Sequence, residues 1–162
     1  MNTQVVFGLS VLLSVAACSL VAALYVWRPL RAVPRHRALR LLATLHVFRF
    51  VGLSFLVPGV VSPSLPSAFV VPAAYGDLGA VALAWASVTA LSRDWTASVA
   101  LVWLLNLWGT IDFLYAFYQG GAHIDPGMLG AAFFIPTVVV PPLFVDHILA
   151  LLLLIKKPRR EP

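Results

Sequence analysis

The chain has 162 residues, 61% of them hydrophobic and only 10% charged, with a formal net charge of +5, a mean hydropathy of +0.95 and a pI near 10.0. Soluble domains carry about 25% charged residues, so this composition excludes a soluble globular domain and points to an integral membrane protein. The basic residues flank apolar runs and leave no length for a nucleic-acid module, so the positive charge suits anionic lipid headgroups and nucleic acid is excluded as a partner.

Five apolar runs are long enough to cross a bilayer, which takes about 20 helical residues at about 1.5 Å each. The first, residues 5–27, contains Val15-Ala16-Ala17-Cys18, which has the form of a lipoprotein cleavage box. The preceding MNTQ carries no basic residue and the run continues unbroken to Trp27, so the segment reads as a span and not as a cleaved leader. Ser10, Ser14 and Cys18, four apart, form a small-residue stripe suited to a neighbouring helix. A lone cysteine supplies neither an intramolecular disulfide nor a multi-cysteine metal motif.

The remaining runs are residues 41–61, 68–91, 97–118 and 130–155. Pro58, Pro63, Pro66 and Pro72 bracket the turn between the second and third runs. Residues 69–77 read either as a tilted helix start or as a short re-entrant piece. Pro136, Pro141 and Pro142 inside the fifth run predict a kink, because each proline removes a backbone donor. Trp27, Trp95, Tyr118 and Tyr25 near span ends read as interfacial anchors. His123 and Asp125 read as turn residues.

Ten of the eleven basic residues lie at one side of these runs: Arg28, Arg31, Arg35, Arg37 and Arg40, then Arg93, then Lys156, Lys157, Arg159 and Arg160. The positive-inside rule makes that side cytoplasmic, with the N-terminus outside and the C-terminus in the cytoplasm. The expected fold is a single all-α domain over residues 1–162, a bundle of five transmembrane helices.

The eleventh basic residue, Arg49, lies inside a span, as do His46, Asp77, Asn106, Asp112, Asp146 and His147, with Tyr75 and Tyr115 nearby. A charge at the centre of a membrane helix costs about 2.5–3.5 kcal/mol even on the lenient insertion scale, so these groups face protein or water. Counting about 1.5 Å per residue from the basic boundary puts His46 near 9 Å, Arg49 near 13 Å and Asp146 and His147 near 13–15 Å. The same count puts Asn106 near 16–18 Å and Asp77 and Asp112 near 24 Å. Together they form a polar column across four spans. His46 and Arg49 share a face, Asn106, Gly109 and Asp112 follow at the same spacing, and adjacent Asp146 and His147 point about 100° apart. His147 is expected to aim at the bundle centre, leaving Asp146 for a neighbouring helix or a second protomer.

One arginine beside three ionised aspartates leaves a net charge of minus two in a poorly solvated interior. Protonation of Asp77 or Asp112, protonation of His46 or His147, or a bound cation has to offset it. Arg49 is expected to pair with an aspartate, Asp77 or Asp146 first, and so to hold the helices in register. A purely structural role is the competing reading, because buried Arg–Asp pairs and membrane asparagines also serve as interhelical glue.

The stretches HVFRFVGLSFLVPGVVSPSLPSAF, PAAYGDLGA, WLLNLWGTIDFLYAFYQG and FIPTVVVPP resemble those of an uncharacterised family of small multi-pass bacterial inner-membrane proteins. The resemblance covers most of the chain from His46 onward and implies a bacterial inner membrane. It brings no activity and no assigned site.

Four functions compete at this stage. The leading one is a binding or translocation module whose column takes a proton, an ion or a small anionic or lipid ligand. Five spans are few for alternating access, so a homo-oligomer or another membrane subunit is an expected partner beside the bilayer. No cofactor is expected under this reading. A bis-histidine haem b protein with His46 and His147 as axial ligands is the second. An intramembrane enzyme on a lipid or isoprenoid, with Asp77 or His147 as general acid or base, is the third. The sequence offers it no HExxH, GxSxG or aspartate-rich diphosphate motif. A structural or accessory subunit is the fourth.

Overall fold

The computed structural model describes residues 2–156, with the backbone but not the side chains of Ala122 and His123; Lys157, Arg159 and Arg160 of the basic group lie outside the described residues. Among the described residues the named elements are all helices. Five helices have the length and apolar composition to cross a membrane: α1 (Thr3–Ala32), α2 (Arg35–Leu56), α3 (Ser67–Ser92), α4 (Ser98–His123) and α5 (Ile135–Ile155).

Local chemistry sets their ends. The Asn2 side chain caps α1 by accepting from the Gln4 N–H at 3.1 Å. Pro34 stands at the entry of α2. The α3–α4 turn passes through Asp94 at φ 49°, a left-handed position that aspartate tolerates. These connections bring the basic residues to one end of the bundle. There the Arg35 guanidinium donates to the Leu154 carbonyl at 2.8 Å, and Arg31 and Lys156 both lie over the Trp27 ring. Trp95 carries Arg93 in the same way.

At the opposite end, the turn after α2 docks on a short 3₁₀ segment, Pro126–Phe133, through Ser62 N–H to Met128 O (2.8 Å) and Ala131 N–H to Val60 O (3.0 Å). Gly130 makes this approach possible. Its φ of 52° is open to glycine, and a Cβ would run into the Val60 carbonyl. The fifth run therefore does not continue as one helix from residue 130, as expected from hydropathy. Helix α5 starts at Ile135 with a π-helical turn, Ile135–Val139. Pro136 falls in its first turn, where a missing N–H costs no hydrogen bond. Likewise residues 69–77, ambiguous in sequence, lie within the continuous helix α3 with Pro72 inside it. Asp125 caps the 3₁₀ segment by accepting from the Gly127 N–H, whereas His123 falls at the end of α4 instead of in a loop.

Helix α3 is central, packed on one side against the second half of α2 and on the other against α4. Alanines allow this approach: Ala74, Ala80, Ala84 and Ala90 are fully buried. Helix α1 is peripheral. It has no fully buried residue over Thr3–Val21, and it meets α5 along a half-buried face that includes Ser10, Ser14 and Cys18.

The winding of α2 departs from expectation. From His46 to Leu56 it is a 3₁₀ helix, far longer than the usual three or four residues. Its buried residues are His46, Arg49, Gly52 and Phe55. At about 100° per residue an α-helix would place Phe55 about 180° round from His46. With three residues per turn, all four stand in one line. A polar and aromatic stripe with a strict period of three, all of it buried, is the physical reason for this winding.

Candidate functional site

The 3₁₀ stripe presents Arg49 to α3 and α4. Arg49 is 1% exposed. Its Nε donates to Asp77 Oδ1 at 2.6 Å, and its Nη2 donates to Asp112 Oδ2 in a short contact. One guanidinium is thus held between two carboxylates from different helices. Its Cζ lies over the Phe113 ring, 4.1 Å from the centroid.

Three glycines make room for this cluster, one on each helix that surrounds it. A Cβ at Gly52 of α2 would strike the Asp77 carboxylate, and one at Gly76 of α3 would strike that of Asp112. A Cβ at Gly109 of α4 would strike both His147 Nε2 and Arg49 Nη1. Trp108 fixes the α3–α4 contact beside them. Its indole Nε1 donates to the Gly76 carbonyl at 3.0 Å, while its ring covers Gly79.

Towards the basic end lies a second layer. His46 Nε2 and Asp146 Oδ2 are 2.9 Å apart and share one hydrogen. The His46 ring contacts that of His147, with centroids 4.3 Å apart and the planes tilted by 41°. Asn106 Nδ2 donates to the His147 carbonyl oxygen at 3.3 Å. That acceptor fixes the amide orientation, so the oxygen is the Asn106 atom facing His147 Nδ1 at 2.7 Å. His147 Nδ1 therefore carries the hydrogen and donates it. Its Nε2 is left with a lone pair. Among the described residues Nε2 and Arg49 Nη1 are both buried without a hydrogen-bond partner, and both lie over Gly109, an acceptor and a donor converging on one spot.

Away from the basic end, the carboxylates face an apolar cavity of about 110 Å³. Phe7, Phe55, Phe69, Phe113 and Phe117 line it, and Asp77 and Asp112 supply its charge. Phe113 is the partition between this cavity and the Arg49–His147 region. Phe117, 39% exposed, and exposed Gly121 stand at the rim.

All seven sequence-derived residues, His46, Arg49, Asp77, Asn106, Asp112, Asp146 and His147, are brought into these two adjoining layers. Tyr75 and Tyr115 are exposed and take no part. Three expectations change. Arg49 pairs with Asp77 and Asp112 together, and Asp146 instead engages His46. Asp146 reaches a neighbouring helix, as expected, through His46 of α2, but it is buried like His147, so aiming one inward does not exclude the other. The depth count set Arg49 about 11 Å short of the two aspartates. The 3₁₀ rise of about 2.0 Å per residue, helix tilt and the length of the arginine side chain close that gap. Sequence reasoning missed Phe113, Gly52 and Gly76. The signals were present in the period-three set His46, Arg49, Gly52 and in the Gly76-Asp77 doublet.

These features define a class: an all-helical bundle, five of its helices of membrane-crossing length, built around buried ionisable side chains. The chain belongs to the family described as Domain of unknown function (DUF8737), whose model matches residues 6–155. No curated protein and no solved structure gives a match.

Proposed function

We propose that the protein is a multi-pass protein of a bacterial inner membrane that binds a proton or a monovalent cation at Asp77, Arg49 and Asp112, and that this occupancy serves proton-linked translocation. The basic end is cytoplasmic under the positive-inside rule, and the aromatic cavity then opens to the outer half of the membrane. The carrying observation is one fixed positive charge between two carboxylates at the edge of an apolar cavity. With both carboxylates ionised the cluster has a net charge of minus one, which a poorly solvated site does not hold without a proton or a cation.

An anionic ligand finds less support. Two edges of the guanidinium are taken by carboxylates and its face by Phe113. The haem reading does not fit the residues as arranged. A bis-histidine haem needs the porphyrin between its two ligand rings, whereas the His46 and His147 ring centroids are only 4.3 Å apart. An enzyme acting on a lipid would have the cavity for its substrate and Asp77 on its wall, but Asp77 is tied to Arg49 and His147 Nε2 faces Arg49 across Gly109 on the far side of Phe113.

The test is infrared spectroscopy of the detergent-solubilised protein in an Asp146→Asn background, which removes the other buried carboxyl. A protonated-carboxyl C=O band at neutral pH, lost on adding Asp77→Asn or Asp112→Asn, is expected. No such band at any pH would reject proton binding at this pair. Reporter fusions in the turn at Arg93 should read cytoplasmic, and those at Ser64 and Asp125 external; an external signal at Arg93 would reverse the orientation.

A further inference from the structure

The geometry points to a small quaternary ammonium compound as the ligand of the aromatic cavity, bound in exchange for one proton of the Asp77–Asp112 pair. This inference rests on the proton-binding reading above and names the substrate class for the same site.

Three observations carry it. Five phenylalanines line the cavity, and aromatic faces attract cations, quaternary ammonium groups among them. Phe113 already holds the Arg49 guanidinium in this manner. Each carboxylate, next, has one oxygen on Arg49 and its other oxygen packed against a glycine, Asp77 Oδ2 on Gly52 and Asp112 Oδ1 on Gly76. The pair therefore puts negative charge at one edge of a lining that is otherwise apolar, where a primary ammonium would leave N–H donors unpaired. A cation without N–H groups suits such a wall better than a primary amine does. Size is the third. The cavity holds about 110 Å³, below the roughly 150 Å³ that takes benzene in an engineered protein cavity. A trimethylammonium head is about as bulky as benzene, so it enters this cavity only as part of a small ligand that projects past Phe117 and Gly121 at the rim.

Charge counting sets the stoichiometry. With a carboxyl proton in place, Arg49 and the remaining carboxylate balance. With the ammonium bound, both carboxylates are ionised against two cations, so binding releases one proton to solvent. Among the described residues, the other charged or titratable groups around the pair are His147 of α5, over Gly109 beside Arg49, and behind it His46 of α2 and Asp146 of α5. Helix α1 contributes Phe7.

The probes are benzyltrimethylammonium and its uncharged isostere neopentylbenzene, titrated calorimetrically into the full-length protein in detergent at neutral pH. Buffers of different protonation enthalpy report the proton count. The ammonium should bind at least tenfold tighter than the isostere and release close to one proton. In Asp112→Asn, proton release should vanish and the advantage of the ammonium over its isostere should shrink. Ala116→Phe fills the cavity while leaving both carboxylates in place and should abolish binding of both, a check that does not depend on Asp112→Asn folding. Equal wild-type affinities, no proton release, or undiminished binding in Ala116→Phe would overturn the assignment. If the infrared carboxyl band is present and the ammonium does not bind, the ligand class falls while proton binding stands. If that band is absent at every pH, both fall.

Discussion

Removing Arg49 should be among the most damaging single changes in the protein, and the loss should be recoverable in a way that identifies its partners. In Arg49→Leu two hydrogen-bonded carboxylates lose their shared counter-charge at a position that is 1% exposed in the wild type. Breaking a buried ion pair by deleting one partner costs about 3–5 kcal/mol. For a chain of this size, about 2–4 °C per kcal/mol puts the fall in Tm at about 6–20 °C. Neutralising the stranded carboxylates should restore much of it. Arg49→Leu combined with Asp77→Asn and Asp112→Asn should therefore melt well above Arg49→Leu alone, with a coupling of about 0.5–3 kcal/mol for each aspartate. Asp146→Asn should show no coupling to Arg49 beyond about 0.5 kcal/mol, because its carboxylate engages His46. The assay is a set of double-mutant cycles in detergent Tm. Rescue by Asp146→Asn, with none from Asp77→Asn or Asp112→Asn, would refute the pairing.

The glycine seats give a second prediction: Gly52→Ala and Gly76→Ala each place a Cβ on a carboxylate that holds Arg49 and should cost about 1–3 kcal/mol by overpacking. Gly8→Ala and Gly121→Ala, where nothing lies within 4 Å of the added atom, should leave Tm nearly unchanged, and equal losses at all four sites would dismiss the packing argument. For the imidazoles, ¹⁵N NMR of histidine-labelled protein should find His147 protonated on Nδ1 and bare on Nε2, with that preference relaxed in Asn106→Leu. A wild-type spectrum with the hydrogen on Nε2 would overturn the Asn106 assignment. Gly130→Ala should destabilise the end of the bundle opposite the arginines, since it combines a φ of 52° with a collision against the Val60 carbonyl; hydrogen exchange confined to residues 57–66 and 126–133 would report it.

The sequence by itself determined the number of long apolar helices and the membership of the polar column. Both follow from transfer free energies that act residue by residue: an apolar run of sufficient length tends to insert, and an ionisable group within it has to be turned away from lipid. For that reason all seven column residues could be named before any helix was placed. Partner choice was not local. Whether Arg49 meets Asp146 or Asp112 depends on helix rotation, on tilt and on the reach of a long side chain, and a depth count at 1.5 Å per residue carries none of these. The 3₁₀ winding of His46–Leu56 is likewise a tertiary decision: the buried row His46, Arg49, Gly52, Phe55 has to face α3 and α4 as one line, and three residues per turn is the winding that aligns it. The cavity belongs to the same level. Its phenylalanines come from α1 to α4, and only the packing of those helices around Asp77 and Asp112 gives scattered aromatic residues a common interior.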